Sequence, residues 1–143
     1  MIHPVSVLYT ASAQATGGRN GHTHSSDGLV SVDLSVPKAM GGPGRPGTTT
    51  PEDLFAAGYA ACFGSAVEFV ARQKKVPVKT VEVTAQVGIG TIEAGGFGLT
   101  VQLQVHLPEL SKEQAEELVA AAHQVCPYSN ATRGNVEVTL SVH

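Results

Sequence analysis

The stretch PEDLFAAGYAACFGSAVEFVARQKK, residues 51–75, decides the fold of this 143-residue chain. Its middle consists of alanine, glycine, aromatic residues and Cys62, and its charged residues lie towards the two ends. A helix that is apolar on every side is a buried helix. The stretch therefore predicts one long central helix, buried nearly all round, which ends near Val76-Pro77.

Capping residues mark the start of this helix. Thr50 can serve as the N-cap, Pro51 suits the first helical position, and Asp53 completes a capping box with Thr50. Thr49 and Glu52 form an alternative box one residue earlier. Either box places the helix start at the end of a loop rich in glycine and proline.

Five segments predict β-strands, because apolar residues alternate in them with polar or small residues at a period of two. Their apolar positions are Val5/Val7/Tyr9, Val30/Val32/Leu34, Val81/Val83/Ala85/Val87, Leu99/Val101/Leu103/Val105 and Val136/Val138/Leu140/Val142. The polar, glycine-rich residues 16–27 and the segment 36–50 predict loops.

A second helix is predicted after Ser111, whose hydroxyl can form a capping box with Gln114. It ends at Cys126, because the proline that follows cannot continue it. The predicted order is β-β-α-β-β-α-β, a single α+β domain over residues 1–143 with antiparallel strands.

The composition argues against several functional classes. A formal net charge of -3 disfavours a nucleic-acid-binding or membrane-surface protein. Residues 1–14 lack a basic region followed by an apolar core, so we expect no signal peptide. The uncharged run over 54–67 is too short to span a bilayer. We therefore expect the chain in the reducing cytoplasm, without membrane or nucleic-acid partners.

The proportion of charged residues is low. It is 15%, well below the roughly 25% that is usual for soluble domains. A small chain with so few charges has too little polar cover for its own surface, and this favours an intimate homo-oligomer.

The two cysteines, Cys62 and Cys126, are too few and too far apart for a disulfide framework. Cys62 is either a small core residue or a nucleophile inside an apolar collar of Phe55, Tyr59 and Phe63. Cys126 lies at a helix end beside a polar, turn-prone stretch, where a resolving thiol could move. One rigid and one mobile thiol match a peroxide-reducing pair, but the residues alone leave both interpretations open.

A catalytic thiol must ionise, and burial opposes ionisation unless a cation lies nearby. The predicted helix offers no cation close to Cys62. Arg19, in a glycine-rich segment, is the best candidate, and Arg45 and Arg133 are its rivals. Glu52, about 15 Å from Cys62 along the helix axis, could orient an arginine but could not touch the sulfur.

Three motifs carry a resemblance to a known family: ATGGRNG at 15–21, TTPEDLFAAGYAACF at 49–63 and CPYSNATRGN at 126–135. Nearly end to end, the sequence resembles the organic hydroperoxide resistance branch of the OsmC/Ohr family. The resemblance implies an OsmC-like fold, an intertwined homodimer with its active sites at the subunit interface, and a thiol-dependent peroxidase.

Residue roles follow from the same resemblance. Cys62 matches the peroxidatic cysteine and Cys126 the resolving one, with which it forms a disulfide during turnover. Arg19 matches the arginine that activates the thiolate, and Glu52 the carboxylate that holds this arginine. Family members prefer organic and fatty-acid hydroperoxides. After turnover, the dihydrolipoamide of a lipoylated protein reduces the oxidised enzyme again. No metal, haem or flavin is implied, and the expected apolar wall for the alkyl group consists of Phe55, Tyr59 and Phe63.

Two other functions remain open on the residues alone. The chain could be a non-catalytic dimeric domain that binds an apolar ligand in the same aromatic pocket, with structural cysteines. It could also bind a metal through His22, His24 and a cysteine, although no third ligand lies at a recognisable spacing.

Overall fold

The computed structural model describes residues 2–143. The chain forms two compact units, Met1–Pro51 and Glu52–His143. That residues 1–143 act as one domain stays a prediction.

The N-terminal unit contains a three-stranded antiparallel sheet. Its strands, in spatial order, are β1 (Ala13–Thr16), β2 (His22–Ser25) and β3 (Ser31–Asp33). The strand predicted around Val32 is therefore confirmed as the short β3. Within 36–50 the backbone forms a single 3-10 turn, Lys38–Met40, and otherwise follows the predicted loop.

Two predictions for this unit were wrong. Val5, Val7 and Tyr9 lie before β1 in a segment without strand pairing, and Val5 and Tyr9 are 79% and 81% exposed. Alternation alone forms no strand, because a strand also needs a hydrogen-bonded neighbour and a surface that buries its apolar face. β2 occupies the predicted loop 16–27, and its sequence HTHS carries no apolar residue that could have revealed it.

The central helix is confirmed as α1 (Pro51–Lys74), with proline at its first position. Its length and composition would also allow a membrane span, a property that core helices of soluble proteins share. One face is buried, through Tyr59, Phe63, Ala66, Val67, Val70 and Ala71. The prediction of burial nearly all round is wrong for the single chain, because the opposite face is exposed at Ala57, Ala61, Ser65 and Phe69.

The C-terminal unit completes its sheet after α1. The strands are β4 (Glu82–Thr91), β5 (Phe97–His106) and β6 (Glu137–Val142), and the helices between the last two are α2 (Lys112–Val125) and α3 (Pro127–Thr132). β4 and β5 pair antiparallel as predicted, but β6 pairs parallel to β5. The helical crossover explains this, since α2 and α3 return the chain to the end of the sheet where β5 begins.

The core of this unit is formed by the alternating apolar residues of its strands and by the apolar faces of its helices. The predicted capping box is present, with the Ser111 side chain accepting from the backbone N–H of Gln114. The inward positions of β5 and the apolar face of α2 join the buried face of α1 in one cluster. Its members beyond α1 are Val101, Leu103, Val105, Leu107, Ala115, Leu118, Val119, Ala122 and Cys126.

Candidate active site

The two cysteines lie side by side, although 64 positions separate them in the sequence. Their Sγ atoms are 3.5 Å apart and both thiols are free. Cys62 is half-buried in the middle of α1, and Cys126 is fully buried at the junction of α2 and α3. The structure thus brings together the two thiols that the sequence singled out.

A proline sets the position of Cys126. Pro127 is the first residue of α3 and disfavours helical dihedrals for the residue before it. Cys126 accordingly adopts an extended conformation, with φ −63° and ψ 125°, and both ends α2 and caps α3. The prediction of a turn-prone loop after Cys126 is wrong, because a second helix follows at once and the side chain is buried in the core. The mobility of this thiol stays a prediction.

The surroundings of Cys62 oppose ionisation within this unit. Burial raises the pKa of the Cys62 thiol, and the hydrogen bond and the charge of the neighbouring Cys126 raise it further. The backbone N–H of Tyr128 donates to the Cys62 sulfur and lowers the pKa, but not enough to reverse the shift. A cation is therefore needed if this thiol is to react as a thiolate at neutral pH.

An apolar pocket of about 280 Å³ opens beside Cys62. It is lined by Cys62, Ala66, Phe69, Val125 and Pro127. Phe69 and Val125 are 44% and 42% exposed, so they form an accessible apolar rim next to the sulfur. A pocket of this kind suits an alkyl group better than a charged ligand.

The predicted aromatic wall is only partly correct. Tyr59 and Phe63 have no exposed surface and belong to the core, not to the pocket. Phe55 is half-buried and packs against Tyr59 and Tyr128, at centroid distances of 6.1 and 6.2 Å. The missed residue is Phe69, which follows Cys62 by seven positions and so lies on nearly the same side of α1.

Arg19 lies in the N-terminal unit, inside a tight turn that its glycines make possible. It is the middle residue of the 3-10 helix Gly18–Asn20. Gly17, before this turn, has a φ of 82°, and a Cβ on Gly21 would lie 1.7 Å from the carbonyl oxygen of Thr16. Any larger residue at Gly21 would therefore displace the backbone around Arg19.

Arg45 and Arg133, the two alternatives to Arg19, donate hydrogen bonds to backbone carbonyl oxygens. The Arg45 guanidinium donates to the carbonyl oxygens of Asn20 and Leu34, at 3.1 and 2.9 Å. The Arg133 guanidinium donates to the carbonyl oxygen of His123. Both arginines therefore stabilise local structure.

Glu52 is the second residue of α1 and lies in the C-terminal unit. It precedes Cys62 by ten positions, or about 15 Å along the helix axis. Its side chain therefore cannot contact the sulfur, as predicted.

The histidine pair lies on β2, and His22 takes part in cross-strand hydrogen bonds. Its Nδ1 lies 2.8 Å from Oδ1 of Asp33, and its Nε2 lies 3.1 Å from Oγ of Ser31. Within residues 2–143, no group of three or more His, Cys, Asp and Glu side chains is arranged to hold a metal ion.

Comparison with known proteins defines the class to which this fold and site belong. Residues 42–141 match the family model of the OsmC-like proteins. The chain is 52% identical to the organic hydroperoxide resistance protein of Xanthomonas axonopodis pv. citri, over 99% of both chains. It is 48% identical to the organic hydroperoxide resistance protein OhrB of Bacillus subtilis, over 94% of this chain and 98% of that one.

Solved structures agree with this assignment. An organic hydroperoxide resistance protein from Legionella pneumophila has a TM-score of 0.89 at 51% identity, covering 96% of this chain and 98% of that one. The crystal structure of Bacillus subtilis OhrB has a TM-score of 0.86 at 47% identity, covering 96% and 100%. The chain belongs to the OsmC-like family, and its resemblance to the organic hydroperoxide resistance branch is confirmed.

Proposed function

We propose that this protein is a thiol-dependent peroxidase that reduces organic hydroperoxides to alcohols and so serves in the response to oxidative stress. The observation that carries the proposal is the pair of free thiols, 3.5 Å apart, beside an apolar pocket. Its relatives named organic hydroperoxide resistance proteins support the choice of substrate class.

The first step oxidises Cys62. Its thiolate attacks the distal oxygen of ROOH, the O–O bond breaks, and the leaving alkoxide takes up a proton to become the alcohol. Cys62 is left as a sulfenic acid. Arg19, oriented by Glu52, stabilises the thiolate and the charge that develops in the transition state. The raised pKa of Cys62 in its own unit is the reason why this step needs the arginine.

The second step forms a disulfide. The Cys126 sulfur attacks the sulfenic sulfur, and water leaves with the former peroxide oxygen. Because the sulfurs are 3.5 Å apart and an S–S bond is about 2.05 Å long, they must approach by about 1.4 Å. An external dithiol then reduces the disulfide by exchange. We assign this role to the dihydrolipoamide of a lipoylated protein, so that the cycle needs no resident cofactor.

The substrate's alkyl group occupies the pocket beside Cys62. Phe69, Val125 and Pro127 supply its apolar surface, and Phe55 stays a candidate contact through its packing with Tyr128. Such a lining contributes about 25 cal/mol of binding free energy for each Å² of the substrate's apolar surface that it buries. Hydrogen peroxide has no alkyl group and gains none of this free energy. This explains a preference for organic hydroperoxides.

We place the enzyme in the cytoplasm as a homodimer with its sites at the subunit interface. A reducing compartment keeps both thiols free between turnovers. A dimer would cover the apolar side chains that the single chain exposes at Leu8, Tyr9 and Phe69. The alternative, an apolar-ligand binder with structural cysteines, explains the pocket but not the adjacent thiols.

Thiol counting tests the proposal. One equivalent of cumene hydroperoxide should remove two thiols per chain and release one equivalent of cumyl alcohol. Cys62→Ser should abolish alcohol formation with a lipoyl dithiol as reductant. Glu117→Gln, a change at an exposed position of α2, is the control and should leave turnover unchanged. If both thiols survive the peroxide in the wild-type protein, the peroxidase proposal is wrong and the binder is favoured.

A further inference from the structure

Three helices of the site meet at one buried hydroxyl group. Ser129, on α3, has no exposed surface. Its Oγ lies 2.8 Å from the Tyr59 hydroxyl on α1 and 2.8 Å from Nδ1 of His123 on α2. Ser129 therefore joins α3 to both neighbouring helices.

The network around this hydroxyl is fully satisfied. The Thr132 hydroxyl donates to backbone carbonyl oxygens of α3, at 3.0 and 3.2 Å, and lies 3.2 Å from the Tyr59 hydroxyl. Burial and the charge of Arg133 lower the pKa of His123, so its imidazole is neutral at pH 7 and its Nδ1 can accept from Ser129. Loss of the Ser129 hydroxyl would leave the partly buried Nδ1 of His123 without this hydrogen bond and the Tyr59 hydroxyl with Thr132 alone.

Both hydrogen-bond partners of the Cys62 sulfur, Cys126 and Tyr128, lie at the start of α3. α3 begins immediately after Cys126, and its second residue, Tyr128, donates its backbone N–H to the Cys62 sulfur. A six-residue helix is too short to be stable alone, so tertiary contacts must fix its position. Ser129 is the next residue after Tyr128 and forms side-chain hydrogen bonds to both α1 and α2. At the far end of α3, Thr132 adds a contact to Tyr59 and Arg133 adds a hydrogen bond to the carbonyl oxygen of His123.

We propose that Ser129 is a positioning residue for the two-thiol reaction, because it holds α3 so that the Tyr128 N–H stays on Cys62 and Cys126 stays within reach of it. The inference rests on the proposed peroxidase function. Without this tie, the sulfenic acid on Cys62 would persist longer before Cys126 reached it, and the thiolate would lose its backbone donor.

A second contact could hold α3 without Ser129. The Tyr128 ring packs closely over Gly58, where a Cβ would lie 3.3 Å from the ring. The ring is also 5.7 Å from that of Tyr59, centroid to centroid. If this packing alone positions α3, loss of the Ser129 hydroxyl affects stability but not the chemistry of the thiols. The two explanations therefore predict different rates of disulfide formation in a variant without the Ser129 hydroxyl.

The test compares Ser129→Ala with wild type and with Glu117→Gln, a change at an exposed position of α2. After one equivalent of cumene hydroperoxide, quenched-flow mass spectrometry follows the Cys62 sulfenic acid, trapped with dimedone, and the disulfide. We expect Ser129→Ala to form the disulfide at least fivefold more slowly and to give more dimedone adduct. The pH profile of Cys62 alkylation should also shift to higher pH.

Disulfide formation and an alkylation profile within twofold of wild type, in a folded but less stable Ser129→Ala protein, would overturn the inference. If this variant does not fold, Tyr59→Phe provides the same test, because it removes the α1 side of the tie and keeps the ring. If wild type itself forms no disulfide, the proposed function fails, which is a distinct result.

Discussion

Replacement of Arg19 by methionine tests how the buried thiol becomes reactive. The surroundings of Cys62 in its own unit raise its pKa above the ordinary value of a cysteine. An ordinary cysteine thiol, with a pKa of about 8.5, is roughly 3% ionised at pH 7, and the raised pKa makes the thiolate fraction of Cys62 smaller still. An arginine close to the sulfur would lower this pKa and increase the thiolate fraction at pH 7.

We therefore expect Arg19→Met to slow Cys62 alkylation at pH 7 by about tenfold for each unit by which the arginine lowers this pKa, and the loss should shrink at high pH as the thiol of the variant ionises. The assay treats the protein with iodoacetamide between pH 5 and 10 and quantifies the modified Cys62 peptide by mass spectrometry. Arg72→Met, a change at an exposed arginine on α1, the helix that carries Cys62, is the matched control. Identical profiles for Arg19→Met and wild type would refute the reasoning, and a shift in Arg133→Met instead would move the role to Arg133.

Three further predictions follow from the site and the core. Cys126→Ser should leave a Cys62 sulfenic acid after peroxide treatment, which dimedone traps and mass spectrometry detects; consumption of peroxide without a trapped adduct would contradict the two-thiol cycle. Phe69→Ala should raise KM for a long-chain alkyl hydroperoxide more than for tert-butyl hydroperoxide in steady-state assays, because it removes apolar rim from the pocket. Leu103→Ala should lower the free energy of unfolding by about 2–5 kcal/mol in urea titrations, since this side chain is fully buried.

Alternation of apolar residues and helix-capping residues predicted most of the strands and helices of the C-terminal unit. Alternation identified β4, β5 and β6 because each has one buried face, and capping residues identified the starts of α1 and α2. The parallel pairing of β6 was not accessible in this way. Strand direction depends on where the preceding crossover delivers the chain, and alternation carries no information about it. β2 was missed for a related reason, since its polar sequence has no apolar face to detect.

The site was predicted unevenly. The resemblance singled out Cys62 and Cys126, and the structure adds the 3.5 Å between them, which no spacing rule supplies for residues 64 positions apart. Two of the three predicted wall residues, Tyr59 and Phe63, do not line the pocket beside Cys62. Tyr59 and Phe63 are rotated about 60° and 100° around the helix axis from Cys62, which carries them into the core. Phe69 is rotated by only about 20° in the other direction and reaches the pocket.

The proposed dimer would account for both the low charge of the chain and the position of the pocket. Only 15% of the residues are charged, and apolar side chains such as Leu8, Tyr9 and Phe69 are correspondingly exposed. The small residues Ala57, Ala61 and Ser65 lie on the same exposed face of α1 as Phe69 and would let a partner approach closely. Phe69 belongs to the same exposed face and also lines the pocket beside Cys62. A second copy covering this face would therefore also enclose the substrate's alkyl group, which is why the proposed dimer and the proposed peroxidase support each other.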